Sequence, residues 1–450
     1  MGVSSLLSDL NTTDLRTAVA VVVLTTLLVL NLAKVPYISC IVRWSISNIR
    51  LQILLLKNKN NATNTSDNNS NNNDGDCCIA KVSGIYIHPV KSMRSISILE
   101  STINLEKRCL TDDRRFMVVY ELPLPVYRKK WELDDTTHRF LTQRQCPSLA
   151  TISATIDVDG FLILEKQSFP VKSSSGNSND DDDDKCTTTG SIRIPLGNYN
   201  NQKQKQKQEQ TYLAGLWDNV VVVEDLGDDA AAFIQRIVDD DDEFSSTNRK
   251  IVVRLVSQPS TTSRTNTSTS THNRPKPPII GRDNRNYIPD YAKTWNGSKL
   301  GMTSLTDGFP ILIASESSLD ELNKRLIASG KDSIPMSRFR PNIVIQGGNL
   351  LQPFEEDKWK IILIGDIVFA IVKACPRCKQ SCTDQITGKV SPEPVEIMKS
   401  FRQGTSSSDD GGGAVFFAQN AIPIGRIEGR SIKVGDTVKV LERGDPVYID

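Results

Sequence analysis

The chain has 450 residues, room for two folded domains and more. Its 54 Lys and Arg nearly cancel its 53 Asp and Glu, and aromatic residues make up only 6%, so neither a global field nor a basic stripe with interleaved aromatics points to nucleic acid. Three histidines leave little material for zinc or a Ser-His-Asp triad, and nine irregularly spaced cysteines in so long a chain are no disulfide framework but the mark of a reducing compartment.

Thr17 to Ala33 carries no charge and is mostly Val, Leu and Ala. As a helix at about 1.5 Å per residue it covers roughly 25 Å, close to the thickness of a hydrocarbon core. Asp9 and Asp14 precede it, whereas Lys34, Arg43, Arg50, Lys57 and Lys59 follow. The positive-inside rule then places the long C-terminal part in the cytosol. An acidic leader argues against a cleaved signal peptide, so residues 1–57 are expected to be an uncleaved, single-pass membrane anchor with its juxtamembrane segment. The second apolar patch, Leu51 to Leu56, is too short to span. Residues 58–79, rich in Asn with almost nothing to bury, read as a disordered linker.

Strand-like alternation begins at Ala80. Lys81 to Ile87 and Ile96 to Ile98 read as strands, followed by Phe116–Tyr120, Ala150–Ile156, Phe161–Leu164, Ser191–Pro195, Val220–Glu224 and Ile251–Val256. A helix opens at Asp228 and Asp229, where negative charge meets the positive dipole end, and sets Ala230, Phe233, Ile234, Ile237 and Val238 on one face. Residues 80–257 are thus expected to form a β-rich domain, interrupted by low-complexity stretches at 173–185 and 198–210 that suit surface loops.

The Thr, Ser, Asn and Pro stretch 258–278 reads as a linker. A second domain, 279–443, offers strands at Phe309–Ile313, Ile343–Ile345, Ile361–Ile364, Val368–Val372, Val415–Phe417, Ser431–Val434 and Thr437–Leu441. A helix is expected behind a cap at Ser318, with Leu319, Leu322 and Leu326 in line, and a short one from Glu393-Pro394 through Phe401. Residues 444–450 are a tail. Many short strands and few helices give an α+β class, mostly β, with a barrel or strongly bent sheet.

The chemistry-bearing stretch is Cys375-Pro376-Arg377-Cys378. A soft thiolate beside a guanidinium, with Lys91 and Ser92 in an upstream turn and Arg340 offering a planar, bidentate fork, suits an anionic cofactor that carries a thiophilic metal. Other readings stay open at this point. The C-x-x-C could be half a zinc site or a redox dithiol, though no second C-x-x-C or His pair completes it. With Cys382 it could suggest an iron–sulfur cluster lacking a nearby fourth cysteine. Arg114 beside Asp113 could be a surface pair, Lys91 could be solvated, and Arg340 before Pro341 could only pin a turn.

Taken in order, these motifs resemble the two-part MOSC family, an N-terminal MOSC β-rich domain followed by a MOSC β-barrel with a few short helices. Within it they are most similar to the mitochondrial amidoxime-reducing components. The matching stretches are Tyr86–Ser92, Asp113–Val119, Leu141–Leu149, Ser315–Leu322, Phe339–Ile343, Phe354–Trp359, Cys375–Cys378, Thr387-Gly388, Glu393-Pro394 and Val434-Gly435-Asp436. The resemblance implies a molybdenum cofactor (Mo-molybdopterin), with Cys378 as catalytic residue and metal ligand. Around the pterin and its phosphate it implies Lys91, Ser92, Arg114, Arg340, Pro376 and Arg377, with Arg144, Asn342 and the loop Asp307-Gly308-Phe309 as second-rank candidates.

The same resemblance implies reduction of N-hydroxylated compounds, amidoximes and hydroxylamines, with electrons from NADH through cytochrome b5 reductase and cytochrome b5. It implies the mitochondrial outer membrane, with peroxisome or endoplasmic reticulum fitting the same charge pattern. No G-x-G-x-x-G follows a strand, so electrons are expected from separate proteins on a shared membrane. The alternative is a carrier or transferase for the cofactor or its sulfur. MOSC barrels also close the cofactor sulfurases, but behind a large pyridoxal-phosphate domain for which this chain is expected to have no room.

Overall fold

The computed structural model describes residues 49, 52–56, 79–122, 136–168, 187–196, 210–217, 219–247, 250–259, 304–404 and 413–448. The expected anchor at 17–33, most of the linker at 58–79 and the stretches at 173–185 and 258–278 lie outside them, apart from Ile79 and residues 258–259. No helix among the described residues is long and apolar enough to cross a membrane. Residues 52–56, within the patch too short to span, are helical.

In chain order the body opens with β1 (Ala80–Ile87), β2 (Ile96–Ile98), β3 (Glu100–Thr102), β4 (Phe116–Glu121), β5 (His138–Phe140), β6 (Ile152–Ile156), β7 (Phe161–Ser168) and β8 (Thr187–Pro195). Then come β9 (Thr211–Leu216), β10 (Asn219–Asp225), α1 (Asp228–Asp239), α2 (Asp242–Ser245) and β11 (Val253–Ser257). Strands β10, β11, β4, β5 and β9 close a barrel in that order. Met117, Val119, Phe140, Ala214, Val221, Val223 and Val256 form one buried cluster within these strands. They are largely β-branched or aromatic residues, at home on a pleated surface. Beside it β6, β7 and β8 form a three-stranded sheet. Helix α1 packs Phe233, Ile234 and Ile237 into a second cluster with Leu162, Leu164 and Leu255.

The remainder runs β12 (Ile311–Ser315), α3 (Glu316–Ala328), β13 (Ile343–Gln346), β14 (Trp359–Ile364), β15 (Ile367–Arg377), α4 (Val395–Met398), β16 (Val415–Ile424), β17 (Ser431–Lys433) and β18 (Thr437–Arg443). Strands β12 and β13 are parallel, which requires the crossover that α3 supplies. The sheet order is β13-β12-β16-β15-β14-β18-β1-β2, and β1 also pairs with β13, so the run from β1 back to β13 is closed. Its core is Ile85, Ile311, Ile313, Ile343, Ile345, Ile362, Phe369 and Val438, all fully buried. The first strand of the body therefore completes the barrel built by the last strands. A further pairing, β3 with β17, binds the two ends again.

Several expectations shift. The strand expected from Ala150 starts at Ile152, because Pro147 opens a 3-10 turn over Pro147–Thr151. The cap of α3 is Ser315, whose hydroxyl accepts from the Ser318 amide at 3.1 Å, one turn before the expected cap. The Ser318 hydroxyl instead donates to the buried Glu356 at 2.6 Å. The helix expected to reach Phe401 is only Val395–Met398, with Pro394 as its cap residue. Strand β15 runs past Val372 to Arg377, with irregularities in its pairing to β16 between Ile371 and Lys373 and between Ala374 and Pro376. Bulges of this kind accommodate a proline and re-aim a strand end. Here they turn out the segment that holds Cys378.

Candidate active site

A cavity of about 450 Å³ is lined by Lys91, Ser92, Arg114, Arg144, Arg340, Asn342, Pro376, Arg377 and Cys378, all nine residues singled out from the sequence. Distant segments deliver them: the turn after β1, the approach to β4, the turn before the 3-10 segment at Pro147, the approach to β13, and the bulged end of β15. The loop Asp307-Gly308-Phe309 also lines it. Sequence reasoning did not single out Trp217, Arg338 or Lys373, which line it too. Arg338 is two residues from Arg340 and could have been suspected. Trp217 sits in the β9–β10 turn beside a low-complexity insert and carries no local signal.

The deep end of the cavity is built on strained backbone. Ser92, Arg114 and Arg340 have φ of 69°, 49° and 56°, in the left-handed region that non-glycine residues seldom occupy. Surrounding bonds hold them there. The buried Asp113 carboxylate accepts the His88 amide at 2.8 Å and the Arg114 guanidinium. Burial alone would raise the Asp113 pKa, but Arg114 and His88 hold it down to about 2. Arg114 also donates to Asn342 Oδ1 at 3.3 Å, and Asn342 Nδ2 donates to the Tyr86 carbonyl at 3.2 Å. His88 lies fully buried behind the cradle, its Nε2 without a hydrogen-bond partner among the described residues. Burial first, then Arg340 and Arg114, lower its pKa to about 3, so it is neutral.

Arg340 is only 6% exposed and has no carboxylate partner among the described residues; its Nη1 donates to the Met93 carbonyl at 2.5 Å and to Gln385 at 3.2 Å. Burial and the nearby Arg114 both disfavour its charge. Its Nε and Nη2 make no hydrogen bond among the described residues, nor does the Ser92 hydroxyl. Lys91 donates to the Leu305 carbonyl at 3.0 Å and to Asp307, which also accepts from Trp217 Nε1 at 3.0 Å. Burial lowers the Lys91 pKa against the pull of Asp307.

Arg377 is held largely by the main chain. It lines the cavity, yet Nε and Nη2 donate to the Phe417 carbonyl at 2.9 and 2.6 Å and Nη1 to the Phe339 carbonyl at 3.0 Å. It bolts β15 to its surroundings. The guanidinium that faces the Cys378 thiol is Arg144, with Nη1 3.8 Å from Sγ.

A phosphate-bearing, metal-carrying cofactor fits this donor set. A buried guanidinium with uncommitted donors is costly until an anion offsets its charge. Of the possible metal ligands on the cavity wall, Asp307 is tied to Lys91 and Trp217, and Cys375 Sγ contacts the Pro376 carbonyl at 3.7 Å. Cys378 is exposed and free. It supplies one soft donor. Cys382 is buried, its thiol 3.5 Å from the Pro392 carbonyl, and burial raises its pKa.

Comparison with known proteins finds two family models that match the chain. The MOSC N-terminal beta barrel domain matches residues 79–193, and the MOSC domain matches residues 301–439. The chain is 38% identical over 146 residues to mitochondrial amidoxime-reducing component 1 of Homo sapiens, covering 32% of this chain and 38% of that protein. Mitochondrial amidoxime reducing component 2 of Rattus norvegicus is 26% identical over 332 residues, 72% of this chain and 73% of the relative. A molybdenum cofactor sulfurase of Aspergillus terreus is 30% identical over 145 residues, 30% of this chain and 17% of the relative. The chain thus spans little more than a third of the human relative and about three quarters of the rat one.

Proposed function

This chain is a MOSC-domain protein, and on that premise we propose that it is a molybdenum-cofactor oxidoreductase that reduces N-hydroxylated compounds, with electrons delivered by cytochrome b5 and its NADH-dependent reductase. The observation that carries the reading is the cavity's polarity. Buried, partly uncommitted cations stand at its deep end, and an exposed cysteine stands at its open end. Arg340, Arg114, Ser92 and Lys91 would hold the pterin and its phosphate, and Cys378 the metal. When bound, the molybdenum cofactor supplies two-electron reduction of an N–O bond. The chain's own part is to fix the anion through charge-assisted hydrogen bonds, to brace the thiol-bearing strand through Arg377, and to keep one face of the site open to solvent.

The relatives' names, and the cation excess that follows Thr17–Ala33, support a cytosol-facing single-pass anchor in the mitochondrial outer membrane. Electron donors on that same surface would meet the site at raised effective concentration.

The likeness to a cofactor sulfurase favours one second reading, a carrier of the cofactor or its sulfur that uses the exposed Cys378 without reductase activity. One experiment separates the two. The full-length chain, purified in detergent from a host that makes the cofactor, is analysed for molybdenum and assayed for benzamidoxime reduction with cytochrome b5, its reductase and NADH. Molybdenum with turnover supports the reductase, molybdenum without turnover the carrier, and a folded chain with neither rejects both.

A further inference from the structure

The arginines of the cavity differ in how their donors are committed. Arg377 gives three of its N–H groups to main-chain carbonyls, and Arg340, buried, and Arg114, partly buried, stand at the deep end among groups that suit a phosphate. Arg144 stands apart. It is half-buried at the rim, and its one hydrogen bond among the described residues is the long contact of Nη1 with Cys378 Sγ. Four of the five guanidinium N–H groups that any arginine carries are therefore uncommitted beside the thiol.

The guanidinium is also aimed. Its Cζ lies 4.7 Å from the centre of the Trp217 ring, a cation–π contact. Trp217 is itself held, by its Nε1 on Asp307 at 3.0 Å and by Phe140, whose ring centre is 5.0 Å away. Both Arg144 and Trp217 come from the N-terminal half of the chain, whereas Cys378 comes from the C-terminal half. The cofactor's anion has a deep cradle of its own, so a rim guanidinium within hydrogen-bond reach of Cys378 faces whatever approaches the metal end from solvent.

We propose that Arg144 is a catalytic, substrate-facing residue that donates hydrogen bonds to the oxygen of the substrate's N–O group, and that Trp217 is the positioning residue that holds it there. The inference rests on the reductase reading above and narrows its substrate class to compounds whose N-bound oxygen is an exposed acceptor. In the reaction the N–O bond breaks and its electron pair goes to oxygen. Two electrons come from the cytochrome donor through the cofactor, and two protons from solvent convert the departing oxygen to water and restore the nitrogen. Arg144 stabilises the negative charge that grows on that oxygen and transfers no proton.

The test compares the full-length loaded chain with Arg144→Gln, Arg144→Lys and Trp217→Leu, measuring molybdenum per chain, kcat and KM for benzamidoxime. Arg144→Gln is expected to keep molybdenum within about twofold of wild type while kcat falls about a hundredfold, the usual loss on removing a preorganised donor. Arg144→Lys should recover part of kcat, and Trp217→Leu should lose kcat about tenfold with molybdenum retained, because Arg144 is freed rather than removed. Loss of molybdenum in Arg144→Gln, to the level of Cys378→Ser, would make Arg144 a cofactor residue and overturn the inference. So would full kcat in a loaded Arg144→Gln beside an active wild type. A wild-type chain without molybdenum or turnover fails at the earlier step and removes the reductase reading along with the inference.

Discussion

Asn342 Oδ1 accepts a hydrogen bond from Arg114 Nη1 at 3.3 Å across 228 residues of sequence, and it also accepts the Leu312 amide at 3.1 Å. One carboxamide thus ties the approach to β4 to the strands β12 and β13. Replacing it by Leu keeps the volume and leaves buried donors unpaired. We expect Asn342→Leu to lower unfolding free energy by about 2–3 kcal/mol. Chemical denaturation measures the loss, and molybdenum content should fall with it because Arg114 loses its aim. Unchanged stability would mean that Asn342 does not join the halves.

The cysteines make opposite predictions. Cys378 is exposed at the cavity, whereas Cys382 is buried against Pro392. Cys378→Ser should lose both molybdenum and turnover, and Cys382→Ser should keep most of each. Equal losses in both variants would contradict the assignment of Cys378 as ligand.

Glu356 carries a pH dependence of known sign. It is fully buried, and Oε2 has no hydrogen-bond partner among the described residues, while its neighbour Asp357 accepts from Arg402 at 2.7 Å, Gln419 at 2.6 Å and Tyr448 at 2.6 Å. Burial raises the Glu356 pKa from 4.5 to about 7, against the Ser318 hydrogen bond. A raised carboxyl pKa means that the folded state holds a proton the unfolded chain releases. Its contribution is fully present below pH 4.5 and is lost as pH rises through 7. Glu356→Gln mimics the protonated form, so it should be about 2 kcal/mol more stable than wild type at pH 8.5 and near parity at pH 5, measured by urea denaturation. A difference independent of pH would contradict it.

His88 acts in the opposite direction. Its folded pKa of about 3 lies below the ordinary imidazole value of 6.5, so the unfolded chain binds the extra proton between these limits. Stability from the neutral imidazole is present above 6.5 and declines as pH falls toward 3, at up to about 1.4 kcal/mol per pH unit. Between pH 6.5 and 4.5, His88→Phe should lose about 2 kcal/mol less than wild type. Parallel losses would place His88 outside the acid response.

Local signals carried much of this structure. Alternation from Ala80 and the β-branched runs at Ile343, Ile361 and Val368 mark strands that the fold contains, and the apolar face from Ala230 to Val238 is the buried face of α1. The residues chosen for chemistry converge on one cavity because each sits at a turn or strand end, where a side chain can be aimed. What stayed hidden depends on contacts far along the chain. Nothing in β1 announces that it pairs with β13 and β18. Nothing local to Arg377 announces its partners, the carbonyls of Phe339 and Phe417. The Ser315–Ser318 run offers several caps, and only the demand of Glu356 for the Ser318 hydroxyl selects among them. Trp217 follows Leu216 and precedes Asp218 and Asn219, with nothing in that short sequence to mark it, and gains its role only beside Arg144.

Elemental analysis of the full-length chain against Cys378→Ser, both purified from the same cofactor-producing host, tests the centre of the account. It predicts about one molybdenum atom per wild-type chain, as expected for a tightly held metal, and next to none in the variant. A folded wild-type chain that remains free of molybdenum, or a variant that retains it, would contradict the assignment of this cavity to the cofactor and of Cys378 to its metal.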